Sequence, residues 1–395
     1  MNERHLSCDE TQNCLRANHV LRCVALAIAV VSAVRVAGVT VSPAAFGTLP
    51  DGRPVPAVTL TNRHGVAATV IAWGASLQSL VMPDRAGHRA DVALGYATLA
   101  EYLGQPQYFG ATVGRYANRI ARGGFALDGH RYQVPLNDGP NSLHGGTLGF
   151  DKQLWVVTDV AGGPSGHVTL RLVSPDGAMG YPGTLTVDAT YRLGEDNRLT
   201  IEYRATTDRP TIVNITNHAY WNLSGEGSAN GAMGHLVTIP ADSFLPTDPT
   251  AIPTGEIRAV AGTAFDFRTP HMVGERVRDA TDAQLAIGRG YDHNWIVGWT
   301  TTPDEHLMAR VVDPASGRSF ELWSNQPGLQ FYSGNFLDGT TSGKAKRIYR
   351  RGDAIVFEPQ FFPDTPNRPA FGSARLAPGE MYRNIMTYRL DWEAE

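Results

Sequence analysis

Cysteine is nearly absent from this chain. The three that occur, Cys8, Cys14 and Cys23, lie close to the N-terminus, and none follows up to Glu395. A disulfide framework, a thiolate zinc site and a cysteine nucleophile are therefore excluded from the body of the protein. A charge excess is missing too. Lys+Arg number 34 and Asp+Glu 38, a formal net charge of −4, without the basic surplus that nucleic acid recognition demands. No apolar run reaches the roughly 20 residues needed to span a bilayer. GxGxxG after a strand, GxSxG and HExxH are all lacking, so dinucleotide binding, elbow-type serine hydrolysis and zincin chemistry lose their main support. GTTSGK at 339–344 is one residue short of a phosphate loop and is followed by Ala345; it reads as a loop. The histidines are dispersed, so a zinc site would need ligands from distant strands and is not expected.

What is present falls into two parts. Residues 23–34, CVALAIAVVSAV, form an apolar run followed by small residues in VAGVTVSPAA. That pattern fits a secretory h-region and cleavage zone. The preceding stretch balances Arg4, Arg16 and Arg22 against Glu3, Asp9 and Glu10, which places the expected start of the leader further on, near Leu15 or Val20. The expectation is a leader over 1–45 and one domain over 46–395, secreted or periplasmic, or cytoplasmic if the leader is not a signal.

Beyond residue 46, apolar and polar residues alternate with the period of two of half-buried strands. HVTLRLV (167–173), LTVDATYRL (185–193) and LTIEYRAT (199–206) show it, and GEDNR (194–198) supplies a turn between the last two. Two further short strands are expected around Gly74, a buried strand at AIVFE (354–358), and at most a short helix at 97–103. Glycine is abundant, 42 residues, as many turns require. The fold class expected is all-β: one large antiparallel sandwich.

Five segments concentrate polar, aromatic and glycine residues: GRYANRI (114–120), NSLHGG (141–146), TNHAYWNL (216–223), GYDHNW (290–295) and FEPQFFPDTPN (357–367). Aromatic rings beside fixed donors and acceptors are what a sugar pocket needs. Each segment alone has a plainer explanation. His144 can be a loop histidine, His218 a core histidine, Arg119 and Asp292 an ion pair, and Glu358 a strand-end carboxylate. Five together are harder to explain so. Their order, with QPGLQFYSGNFLDG (326–339) between the last two, resembles the aldose 1-epimerases, or mutarotases, over essentially all of 46–395.

That resemblance implies a large antiparallel β-supersandwich, interconversion of the α and β anomers of free aldohexoses, and no cofactor. It implies Glu358 as catalytic base and His218 as catalytic acid, with Asn118, Arg119, His144, Asp292 and Gln330 holding the sugar. The chemistry fits these residue types: one group takes a proton from the anomeric hydroxyl while another protonates the ring oxygen, and the roles reverse on closure. Three alternatives stand beside it. A glycoside hydrolase needs two carboxylates flanking the bond, and only Glu358, Asp292 and, more weakly, Asp364 offer themselves. A hexose-phosphate 1-epimerase needs a basic cluster; Arg115 and Arg119 are near the motifs, and KAKRIYRR (344–351) reads as a solvated loop and strand edge. A non-catalytic carbohydrate-binding protein is the third. The expected partner is a small-molecule sugar, with no nucleic acid and no stable membrane span.

Overall fold

The computed structural model describes residues 38–105 and 107–393. Alternation of side chains builds its main layer. In Leu185–Gly194 and Arg198–Thr207 every second residue is buried, and the two strands pair in register from Leu185↔Thr207 to Leu193↔Leu199. They sit within an antiparallel nine-stranded sheet that runs from Val156–Ala161 through Ser165–Ser174, this hairpin and Tyr382–Asp391 to Ser319–Ser324, His306–Val312, Leu236–Thr238 and His271–Met272. One face of such strands is apolar and must be covered. Val187, Tyr191, Ile201, Leu322 and Tyr388 from this sheet share a single core with Trp295, Leu329, Phe331 and Phe357 of a second sheet.

That second sheet has six strands, in the order Tyr220–Trp221, Ile355–Gln360, Gly328–Tyr332, Asp292–Ile296, Ser243–Leu245 and Arg258–Ala259. Its central strands are buried on both faces; Ile355–Gln360 and Gly328–Tyr332 are buried throughout. Period two separates their chemistry. Phe357, Phe331 and Trp295 point into the core, where Phe331 and Phe357 stack at 4.9 Å. Glu358, Gln330 and Asn294 stand on the other face and are paired directly across neighbouring strands. The sheet therefore presents a polar row backed by an aromatic one.

A five-stranded sheet comprises Thr40–Thr48, Pro54–Thr61, Ala67–Ile71, Ser76–Pro83 and Arg89–Asp91. Where two strands were expected around Gly74 there are three, because Asn62 and Gly65 close a turn between the first pair. The first strand begins at Thr40, inside the stretch assigned from sequence to the leader, and pairs with Pro54–Thr61. It is an edge strand, largely exposed. It therefore lacks the apolar alternation that marks a strand in sequence, and it tolerates Pro43. The apolar run 23–34 lies outside the described residues. The expected short helix is present as Leu99–Gly104, with Thr98 and Glu101 forming a capping box. No helix among the described residues is long and apolar enough to cross a membrane.

Candidate active site

The motif segments meet because short ladders join them. Arg119–Ile120 pairs with Ser142–Leu143, Leu143 opposite Arg119. This sets Asn118 beside His144, both with left-handed backbones (φ 57° and 50°). The His144 amide donates to the Asn118 carbonyl at 3.0 Å, and the Asn118 amide donates to His144 Nδ1 at 3.2 Å. Nδ1 is thus an acceptor, so the neutral ring carries its proton on Nε2. Gly145 follows with φ +88°, and any side chain there would collide with the Gly114 carbonyl, so the turn requires glycine.

His218 arrives from another direction. Thr216–Asn217 pairs with Thr112–Val113, and the His218 amide donates to the Ala111 carbonyl at 2.9 Å. Its ring lies 5.2 Å from that of His144 and 5.1 Å from that of Tyr220. His218 Nε2 is 3.8 Å from Glu358 Oε1. His144, His218 and Glu358 are all buried and each offers one atom within 4.8 Å of the others. A tetrahedral zinc shell with bonds of ~2.1 Å would bring such atoms to about 3.4 Å, so this grouping is looser than a metal shell. Glu358 Oε2 and His218 Nδ1 are buried without a hydrogen-bond partner among the described residues. Buried polar atoms are normally satisfied, and these two suit the hydroxyls of a bound ligand.

Around this centre, Gln330 Nε2 donates to Asp292 Oδ1 at 2.7 Å. The plainer alternative, an Arg119–Asp292 ion pair, is not what the structure shows: Arg119 Nε donates to Asp138 Oδ2 at 2.7 Å. Burial alone would lower the Arg119 guanidinium, but the Asp292, Asp138 and Glu358 carboxylates hold it above its ordinary value. Arg119 and Asp292 line a cavity of about 270 Å³ together with Asp138, Arg289 and Phe336. A larger cleft of about 940 Å³ beside Phe125, Tyr132 and Asn367 contains none of the buried cluster. Burial dominates the acid–base groups. It pushes Glu358 up to about 8, helped by Asp292 and opposed by Arg119. It pushes His218 down to about 4. His144 is held well below its usual range by burial, then by His218, Arg119 and Lys152. Asp292 is raised by burial against the pull of Arg119.

All seven residues singled out from sequence thus lie in one contiguous region. Several neighbours of these do not. Arg115 is buried and donates to the carbonyls of Pro182, Gly183, Ser174 and Pro175 and to Ser174 Oγ; it is structural. Asp364 accepts from the Ala121 amide and Asn367 and faces Arg368, tying a loop down. Lys344 does not sit free in solvent: its ammonium donates to Asp91 and to the carbonyls of Gln78 and Ala93. Trp221 is core, against Phe320 and Tyr388. Asp138, Tyr108 and Lys152 were not recognised from sequence. Asp138 lies in NDG, which reads as turn chemistry alone, and a carboxylate in the loop leading to NSLHGG was its only signal.

The aldose 1-epimerase family profile matches residues 56–389. The chain is 44% identical to galactose mutarotase of Sus scrofa over 346 residues, 88% of this chain and 97% of that protein. It is 38% identical to aldose 1-epimerase of Escherichia coli over 342 residues, 86% of this chain and 96% of the other. Among solved structures, galactose 1-epimerase from Lactobacillus acidophilus superposes with a TM-score of 0.79 at 28% identity, covering 89% of this chain and 99% of that one. The profile match, the relatives and the fold agree, and the chain belongs to the aldose 1-epimerase family of isomerases.

Proposed function

We propose that this protein is a mutarotase that interconverts the α and β anomers of free aldohexoses such as glucose and galactose, with Glu358 and His218 exchanging one proton with the sugar. The observation that carries this is the 3.8 Å approach of His218 Nε2 to Glu358 Oε1 in a buried pocket. O1 and O5 of a pyranose share C1 and lie closer together than that. Each oxygen can therefore hydrogen-bond one member of the pair at about 2.7–3.0 Å.

Glu358 as carboxylate removes the O1 proton while His218 as imidazolium protonates O5, and the C1–O5 bond opens to the aldehyde. Rotation about C1–C2 presents the other carbonyl face. Closure runs the transfers backwards, from neutral His218 and protonated Glu358. The pair always holds one proton, and the two halves of the reaction use its two placements. Burial favours the neutral placement in the unliganded pocket; the Arg119 charge favours the carboxylate. Arg119, Gln330-bound Asp292, Asn118 and the His144 Nε2 donor would hold ring hydroxyls and the oxygen that gains charge. Uncatalysed mutarotation is measurable, so positioning plus acid–base transfer can supply the acceleration needed.

We also propose that the protein is exported and that cleavage falls before Thr40, so that the first strand stays in its sheet. Mass spectrometry of the mature N-terminus tests this; a chain beginning within 1–22 excludes it. Polarimetry of freshly dissolved α-D-glucose and α-D-galactose tests the activity. The expected result is accelerated decay of rotation. Binding of sugar with unaltered decay would make the protein a carbohydrate-binding module instead, and release of reducing sugar from an aryl glycoside would make it a hydrolase.

A further inference from the structure

Tyr108 belongs to no motif, yet it is strained and sits against both imidazoles. Its φ is +59°, unusual for a bulky residue and a form of strain that concentrates at functional sites. Its carbonyl accepts from the Ala111 amide, and the neighbouring Gly110 amide donates to the His218 carbonyl. One turn thus carries Tyr108 and anchors His218. The Tyr108 ring stands 4.8 Å from that of His144 at 64° and 5.7 Å from that of His218 at 34°. With the 5.2 Å, 89° contact between the imidazoles, the three rings form a closed triangle.

A cation sits against the Tyr108 ring of this triangle. Lys152 Nζ lies 5.0 Å from the centroid of the Tyr108 ring, within cation–π range. It is held at 2.6 Å by Asp151 Oδ2. Asp151 is itself buried, and its Oδ1 has no partner among the described residues. An ion pair between a buried carboxylate and a half-buried ammonium, with no other side-chain bond to either group among the described residues, points to a purpose there.

We propose that Tyr108 and Lys152 are positioning residues for the proton-transfer pair: Tyr108 braces both imidazoles at fixed angles, and Lys152, tethered by Asp151, places a permanent positive charge beside them. This rests on the acid–base reading of His218 and Glu358. The charge opposes a proton on His144 directly and on His218 through the 5.2 Å contact between the two rings, so the His218–Glu358 pair carries one proton rather than two. The charged and titratable groups facing His144 are His218, Glu358, Arg119, Lys152 and Tyr108; those facing His218 are Glu358, His144, Tyr108 and Tyr220. Asp138 is committed to Arg119 and Asp151 to Lys152, and Lys152 and Arg119 are the fixed charges that act on His144 in the same direction.

The test pairs kinetics with an NMR titration that needs no turnover. In Glu358→Gln protein, adding Lys152→Met should raise the imidazole titration midpoints by about one pH unit, the scale of one partly screened charge at this range. In the active enzyme Lys152→Met should move the acid limb of kcat/KM upward by a similar amount, and Lys152→Arg should leave it in place. Tyr108→Leu should lower kcat about 10- to 100-fold with little change in KM, as expected for lost orientation, and Tyr108→Phe should recover most of it. Unmoved midpoints and an unmoved limb in Lys152→Met would overturn the proposal, as would a Tyr108→Leu variant altered in KM or melting temperature alone. A wild type inactive in polarimetry whose imidazoles still shift in Lys152→Met would overturn the mutarotase reading while upholding the role of Lys152.

Discussion

His218 Nε2 and Glu358 Oε1 face each other at 3.8 Å without a hydrogen bond between them. In the proposed mechanism, a direct bond would tie up the proton that must pass to the sugar. The gap instead leaves room for each atom to bond a different substrate oxygen, and on that reading the two groups act as one titrating unit.

That unit dictates a pH profile. Burial holds Glu358 near 8 and His218 near 4. Between those values the pair holds its one proton. Above about 8 Glu358 releases it and no acid is left; below about 4 His218 takes a second and no base is left. We expect kcat/KM for glucose to follow a bell with limbs near 4 and 8, measured by polarimetry after subtracting the buffer rate. A single limb near 6.5, the value of an unperturbed imidazole, would contradict the pairing.

The same burial makes Glu358 a stability liability. Its folded pKa lies above its ordinary value, so between about 4.5 and 8 the folded protein retains a proton that the unfolded chain has lost. Stability from this group is present at low pH and declines as pH rises through that window. Glu358→Gln should therefore be as stable as wild type near pH 4.5 and about 2–4 kcal/mol more stable at pH 8, by urea denaturation. Loss of kcat should accompany the gain, about 10²- to 10⁴-fold. Equal stability differences at both pH values would show that Glu358 is not held neutral.

Much of this site was legible in the sequence because each motif carries its own chemistry. A carboxylate ends the apolar strand at Glu358, and His144 precedes the glycine of a left-handed turn. The sheet was legible because residues 185–206 alternate. What escaped depends on partners far apart in the chain. Arg115 and Arg119 are four residues apart in an irregular segment, where no period tells which guanidinium faces the pocket. Tyr108 and Lys152 meet only through folding, and neither QPQYFG nor GFDKQ has a local pattern that announces a ring against a cation. The polar row Asn294–Gln330–Glu358 likewise exists only once three strands align.

Arg115 gives a prediction opposite in kind to Glu358. Its guanidinium is buried with carbonyls and the hydroxyls of Ser174 and Thr211 as partners, and burial lowers it to about 10. Arg115→Met would strand several buried acceptors. We expect it to cost about 2–4 kcal/mol in denaturation while leaving KM for glucose unchanged. A raised KM at unaltered stability would return Arg115 to the sugar site.

Asp138 separates positioning from architecture. Its carboxylate takes the Nε–H of Arg119 at 2.7 Å, and Asp138 is itself partly exposed while Arg119 is nearly buried. Truncation of Asp138 therefore removes little packing, but it frees a guanidinium whose remaining attractions are to Asp292 and Glu358. Asp138→Ala should raise KM about 10-fold for glucose and galactose alike, with a smaller fall in kcat, because a charge-assisted bond that orients Arg119 is lost. Asp138→Asn keeps an acceptor oxygen at the same place and should recover part of the loss. If Arg119 serves only to pin its loop, Asp138→Ala will lower the melting temperature and leave KM untouched, and polarimetry with a thermal melt on the same protein distinguishes the two.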